Sequence, residues 1–220
     1  MSDSPLEPAL ARVVDLYRQE THNDVSMVFG PSPAIKKRIE DREMADVVIV
    51  QPDFVEELTK SGQVNAGDRP IIGHVGVGLG NRKDGPALDI STPEKLKQAL
   101  LAADMLVFNN VKSGEAFEKV LERLGIAETL KPRIVRTSPL GIFDPVLKGN
   151  GNDMAAGTIP LIATTPGIKL LGPLPGDLQS YLTYTAAIMT KTSQRDTAEA
   201  FIKFLLSAKA KSTFAANGVN

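Results

Sequence analysis

The chain has 220 residues, with 25 Lys and Arg against 26 Asp and Glu, a formal net charge of -1 and 42% hydrophobic residues. That balance is typical of a globular chain and gives no global case for nucleic acid or an anionic membrane as partner. It has no cysteine and only two histidines, His22 and His74. These counts exclude disulfides, cysteine nucleophiles and thiolate or histidine-rich metal sites, and no metal site is expected.

No apolar run approaches the ~18 residues of a membrane span. The opening "MSDSPLEPAL" lacks the basic and apolar regions of a signal peptide. Localisation stays open: cytoplasmic as the chain is written, periplasmic if a leader is missing.

"SPLEPALARVVDLYRQE" is predicted to be a helix, with Ser4 as its cap and Glu7 closing a capping box. Leu10, Val13, Val14 and Tyr17 form its apolar stripe. "DVSMVFG" (24–30) is predicted as a strand stopped at Gly30-Pro31, followed by a helix over 33–42. "DVVIV" (46–50) is apolar throughout, as in a strand buried on both faces, and a helix over 53–60 follows. Strand, helix, strand, helix with short loops implies a parallel α/β sheet.

The glycine-rich segment 69–80 is expected to be extended and to leave this first lobe. A second βα set follows: helix "STPEKLKQALLAA", strand "DMLVFNN", helix "SGEAFEKVLERLG", strand "RIVRT", a short helix in 140–148, and strand "DMAAGTIPLIA". "IKLLGPLPGDLQ" and "YLTYTAAIMT" run back, and the C-terminus is helical, with Ala200, Phe201, Phe204 and Leu205 on one stripe. The expected organisation is two lobes, 1–72 with 186–220 and 73–185, joined by crossovers near 70–80 and 175–186. In open α/β sheets ligands bind beyond the carboxyl ends of strands, so two such lobes would share a cleft.

The corner "GPSP" (30–33) carries the sharpest chemical signal. Gly30 permits a tight turn, Ser32 suits an N-cap and Pro33 suits the first helical position. No acidic side chain stands at Ile35 to fold back on the free amides, so the helix start reads as an anion site. "NNVKSGEAF" offers a second: Asn109, Asn110, Ser113 and Gly114 lie between a strand and a helix, the glycine would let a ligand approach the backbone, and Lys112 could add a full charge. Other features read as structural. "GVGLG" (76–80) precedes no helix and is no dinucleotide fingerprint. His74 reads as packed, His22 as solvated, "KKR" (36–38) as a solvated helix face, and Glu40, Asp41 and Glu43 as the polar end of that helix.

"FGPSPAIKKRIEDREMADVVIV", "KVLERLGIAETLKP", "GIKLLGPLPGDLQSYLTYTAAI" and "AEAFIKFLLSAKAKSTFAANG" together resemble the periplasmic molybdate-binding proteins and their relatives, which have the type II solute-binding fold. The resemblance covers almost the whole chain. It implies an α/β fold of two lobes, each a parallel-rich sheet flanked by helices, hinged by crossovers and closing on a small anion. By position it carries ligand contacts to Ser32 in the first lobe, to Ser113 and Gly114 in the second, to Thr158, and to Tyr184. Asn110 and Lys112 join them from the residue reading, and Ser4 stands in for a loop hydroxyl, because the chain begins where the family's first strand would end. The implied function is solute binding, of an oxyanion or small organic acid and with no cofactor, by a monomer that serves an ABC permease and has no nucleic-acid partner. Some relatives in this subgroup isomerise unsaturated polycarboxylic acids such as aconitate; for such chemistry His74, Lys112 and Arg136 are the candidate suppliers of base and cation. A cytoplasmic ligand sensor is a third reading.

Overall fold

The computed structural model describes residues 1–220 except Ala66 and Asn150. In chain order the first elements are β1 (Ser2–Asp3), α1 (Glu7–Thr21), β2 (Phe29–Gly30), α2 (Ser32–Glu40), β3 (Val47–Val50) and α3 (Pro52–Lys60). Next come β4 (Ile71–Arg82), α4 (Pro93–Leu101), β5 (Met105–Asn109), α5 (Lys112–Arg123), α6 (Ala127–Leu130), β6 (Ile134–Thr137) and α7 (Asp144–Lys148). The chain ends with β7 (Asp153–Thr158), α8 (Ile159–Thr164), β8 (Ile168–Pro173), β9 (Tyr181–Ile188), α9 (Arg195–Leu205) and α10 (Ala208–Ala216). It divides into two compact units, Met1–Val75 with Thr183–Asn220, and Gly76–Leu182. The chain passes from one unit to the other within β4 and within β9.

In the first unit β1 lies between β2 and β3, parallel to both, and β9 runs antiparallel to β3. The apolar faces of α2 and α3 meet this sheet: Ile35, Ile39, Phe54, Val55 and Leu58 pack with Val48, Val50 and Ala187. Helix α1 turns Leu10, Val13, Val14 and Tyr17 inward, as its spacing predicts. Tyr17 meets Phe201 and Phe204 of α9 edge-on, at centroid distances of 5.2 and 5.1 Å.

The second unit sets β5 between β6 and β7, parallel to both, with β4 antiparallel to β7 and β8 antiparallel to β4. Its main core joins Leu96 and Leu100 of α4, Phe117 and Leu121 of α5, and Phe108 of β5. Here the glycines of "GVGLG" find their use. A Cβ on Gly78 would stand 2.7 Å from the Gly172 carbonyl, and one on Gly80 would stand 2.6 Å from Ile162, so β8 and α8 can lie on β4 only where it lacks side chains.

Several boundaries differ from the sequence expectation. The Ser4–Glu7 box does not form: Ser4–Leu6 is a 3-10 turn and Glu7 the first α-helical residue. The cause is Pro8, which tolerates a first turn but not a second. The chain does not start in a loop, because Ser2–Asp3 forms the strand expected to be missing. The strand expected over 24–30 is paired only at Phe29 and Gly30, since β1 reaches no further along it. Pro160 ends β7, because it cannot donate to a ladder but suits a first helical turn, so α8 occupies what reads as continued strand. Ser207, whose hydroxyl accepts from the Ala210 N–H, starts a separate final helix.

Candidate functional site

In the first unit, three parallel strands end together. The register places Asp3 opposite Gly30, and Ser32 follows two residues later at the start of α2. The Ser32 hydroxyl donates to the Asp3 carboxylate, with Oγ 2.9 Å from Oδ1 and 2.8 Å from Oδ2. Ser32 is therefore not the cap the sequence suggests. Pro31 holds that position and its carbonyl accepts from Ala34 and Ile35, while Ser32 is already helical. Its single hydroxyl proton goes to a buried carboxylate of the same chain.

The antiparallel pairing of β3 with β9 sets Val50 opposite Thr185, and so brings Gln51 beside Tyr184. Tyr184 is fully buried and its hydroxyl has no hydrogen bond of proper geometry. Burial first, and then the negative charge of Asp3, hold this phenol protonated well above its ordinary range; the Gln51 side chain acts weakly in the other direction. Asp3, Ser32, Gln51 and Tyr184 thus form one polar cluster at the carboxyl ends of β1, β2 and β3, where an open α/β sheet takes its ligands. Ser4 is buried in the turn that follows Asp3.

A second cluster lies in the other unit, where β5 runs into α5. The buried side chain of Asn109 holds it together: its Oδ1 accepts from the N–H groups of Val111 and Gly114, at 3.2 and 3.0 Å, and its Nδ2 lies 2.9 Å from the Ser113 hydroxyl. Gly114 is required for a different reason from the one its sequence context suggests. A Cβ there would stand 1.8 Å from the Asn109 carbonyl oxygen, so the space belongs to the chain's own backbone and not to a ligand. Asn110, its neighbour, is exposed, and Lys112 is the first residue of α5. Thr158, at the end of β7 in the same unit, is buried and its hydroxyl is unpartnered.

The residues named for a possible enzyme do not assemble within one unit. His74 belongs to the first, where its Nδ1 lies 3.0 Å from the Thr183 hydroxyl and its backbone pairs with Asn220. Arg136 belongs to the second, where it is exposed, pairs with Glu118 and places its guanidinium 4.1 Å from the centre of the Phe108 ring. Among the described residues no group of His, Asp and Glu has the arrangement of a metal site, and no helix is long and apolar enough to cross a membrane. Sequence reasoning missed Asp3. The available signal was an acidic residue between Ser2 and Ser4 in the segment assigned to a loop hydroxyl.

The chain is 24% identical over 227 positions to an aconitate isomerase from a Pseudomonas species, covering 100% of this chain and 86% of that one. It is 26% identical over 212 positions to the molybdate-binding protein ModA of Azotobacter vinelandii, covering 94% and 82% respectively. The solved periplasmic molybdate-binding protein of Azotobacter vinelandii superposes with a TM-score of 0.81 at 18% identity, covering 100% of this chain and 96% of that structure. The fold is accordingly the two-lobed type II fold of periplasmic binding proteins. Because the family model of the bacterial extracellular solute-binding proteins matches residues 1–220, the chain belongs to that family.

Proposed function

We propose that the protein binds a small anion, an oxyanion or a small organic acid, and delivers it as a monomer to a transporter of the ABC class. The observation that carries this reading is the buried polar cluster at the strand ends of the first unit, in a chain whose family binds solutes. Tyr184 has an unused hydroxyl there, kept protonated and so able to donate. A buried donor without a partner costs roughly 1–3 kcal/mol, a cost that a bound oxygen acceptor removes. In the second unit Asn109 and Ser113, where β5 runs into α5, and Thr158, at the end of β7, are neutral polar groups of the kind that holds anions without a counter-charge. The test is native mass spectrometry of freshly purified protein, followed by titration calorimetry with inorganic oxyanions and small carboxylic acids. Saturable binding of one of them at a stoichiometry of one supports the reading; no binding across both classes overturns it.

Isomerisation of an unsaturated polycarboxylic acid is the second reading, favoured by the relative that aligns along the whole chain. The engaged positions of His74 and Arg136 weigh against those two as its base and cation. Incubation with cis- and trans-aconitate, followed by chromatography of the products, separates the readings: binding without interconversion leaves solute binding in place.

A further inference from the structure

A cavity of about 650 Å³ opens in the first unit, away from the polar cluster at the strand ends. The register of β3 with β9 fixes the separation. Ile188, which lines the cavity, lies opposite Val47 at the amino end of β3, whereas Tyr184 lies beside Gln51, just past its carboxyl end. Four residues of extended chain put about 13 Å between them. Strand alternation builds the cavity's floor. Ala187 and Met189 pack with α2 and α3, so Ile188 faces the other side of the sheet. Ile202 of α9, and Leu206 just beyond it, line the same cavity.

Charge gathers around this apolar floor. Arg69, Arg195 and Lys203 line the cavity together with Asp68 and Glu199. Helix α9 carries three of these five at intervals of four residues, which sets them on one face. Arg195 Nε lies 3.0 Å from Glu199, so those two charges are spent on each other. Asp68 is exposed. Among the described residues, neither Arg69 nor Lys203 makes a hydrogen bond or an ion pair, and the Arg69 Nε is buried. The charge of Arg69 does bear on Glu56, but that carboxylate is already bonded to Lys60. A guanidinium has five N–H donors, and a buried donor left without an acceptor costs stability. The cavity therefore offers two unpaired cations above an apolar surface.

Independently of the strand-end cluster, we propose that this cavity is a second binding site, for a carboxylic acid with an apolar body of several carbons. Its carboxylate pairs with Arg69 and Lys203, and its body lies on Ile188, Ile202 and Leu206. A guanidinium meets a carboxylate through two parallel N–H···O bonds, and the volume falls within the range of small-molecule sites. An inorganic oxyanion would use the cations and leave the floor wet. An apolar amine would use the floor and face two positive charges. Only an amphipathic acid uses both.

Octanoate is the probe. Acetate supplies the charge without the body, and octylammonium the body with the opposite charge. Calorimetry on the unmodified protein at neutral pH is expected to show octanoate binding at a stoichiometry of one, at least about tenfold tighter than either control. Burial of two methylenes already gives that factor over acetate. Arg69→Gln, with folding verified by circular dichroism, is expected to weaken octanoate about tenfold, the loss of one hydrogen bond to a charged group. Lys203→Gln, at an exposed position, is expected to weaken it about threefold. No octanoate binding overturns the proposal, and so does acetate or octylammonium binding as tightly as octanoate. Undiminished octanoate affinity in Arg69→Gln also overturns it, because the acid then binds elsewhere. If Arg69→Gln does not fold, Lys203→Gln decides in the same way. Each of these outcomes leaves the strand-end cluster and its anion untouched.

Discussion

Ser32 Oγ lies 2.9 and 2.8 Å from the two carboxylate oxygens of Asp3, which is 29 residues earlier in the chain. Parallel pairing of β1 with β2 creates the contact, and it joins the first strand of the sheet to the first turn of α2. Ser32→Ala removes a hydrogen bond to a buried charged group and is expected to cost about 1.5–3 kcal/mol in urea unfolding. Ser32→Asp, which a capping role would tolerate, instead sets two carboxylates against each other. It is expected to be less stable than Ser32→Ala at neutral pH and to recover as acid protonates one of the pair. Equal stability of Ser32→Asp and the unmodified protein would show that the contact carries no weight.

Tyr184→Phe deletes a buried hydroxyl that has no partner of proper geometry. Without ligand the variant is expected to match the parent in stability or exceed it by up to about 1 kcal/mol, because nothing paired is lost. Anion affinity is expected to fall by roughly tenfold, corresponding to one hydrogen bond. Thermal melts with and without ligand read both effects. A loss of stability in the free protein would mean that the hydroxyl is already paired.

Gly114 and Gly125 separate two uses of glycine. A methyl group at Gly114 meets the Asn109 carbonyl at 1.8 Å, and backbone cannot swing aside. Gly114→Ala is expected to cost about 3 kcal/mol or to prevent folding. Gly125 has φ +67° with open space around it, so Gly125→Ala is expected to cost only about 1 kcal/mol. Comparable unfolding midpoints for the two variants would refute the crowding at Gly114.

The amino group of Met1 donates to the Val47 carbonyl at 2.8 Å, and burial lowers its pKa from 8.0 to about 6 despite the nearby charges of Asp46 and Glu43. The unfolded chain therefore holds this proton more tightly than the folded one. In a chain that begins at Met1, the folded state is penalised by up to about 3 kcal/mol below pH 6, and the penalty fades as pH rises towards 8. Unfolding free energies measured from pH 6 to pH 8 are expected to rise, with the rise absent when added residues carry the amine away from Met1. That comparison separates the amine from the two histidines. A flat profile in the unextended chain would count against a buried amine.

Local patterns were enough for much of the architecture. The 3.6-residue stripe of α1, the continuously apolar β3, and Thr92 capping α4 from outside are all decided within a few residues of themselves. The resemblance carried by "GPSP", "LGIAETLKP" and "GPLPGDLQSYLTYTAAI" was specific enough to identify the two-lobed fold, because each of those segments covers a junction between consecutive elements. Prolines set boundaries more finely than hydrophobic spacing does: Pro8 delays α1 and Pro160 ends β7, each through an N–H it does not have.

The chemistry of the strand ends was decided only by tertiary structure. Ser32 reads as a cap because Pro33 and Ile35 follow it, yet its hydroxyl partner comes from Asp3, and only the order of strands in the sheet makes them neighbours. Gly114 reads as room for a ligand, yet Asn109 fills that room. A hydroxyl or glycine has the same local signature whether its partner is a ligand or the chain itself. The difference lies in which distant group reaches it, and non-local pairing of strands settles that.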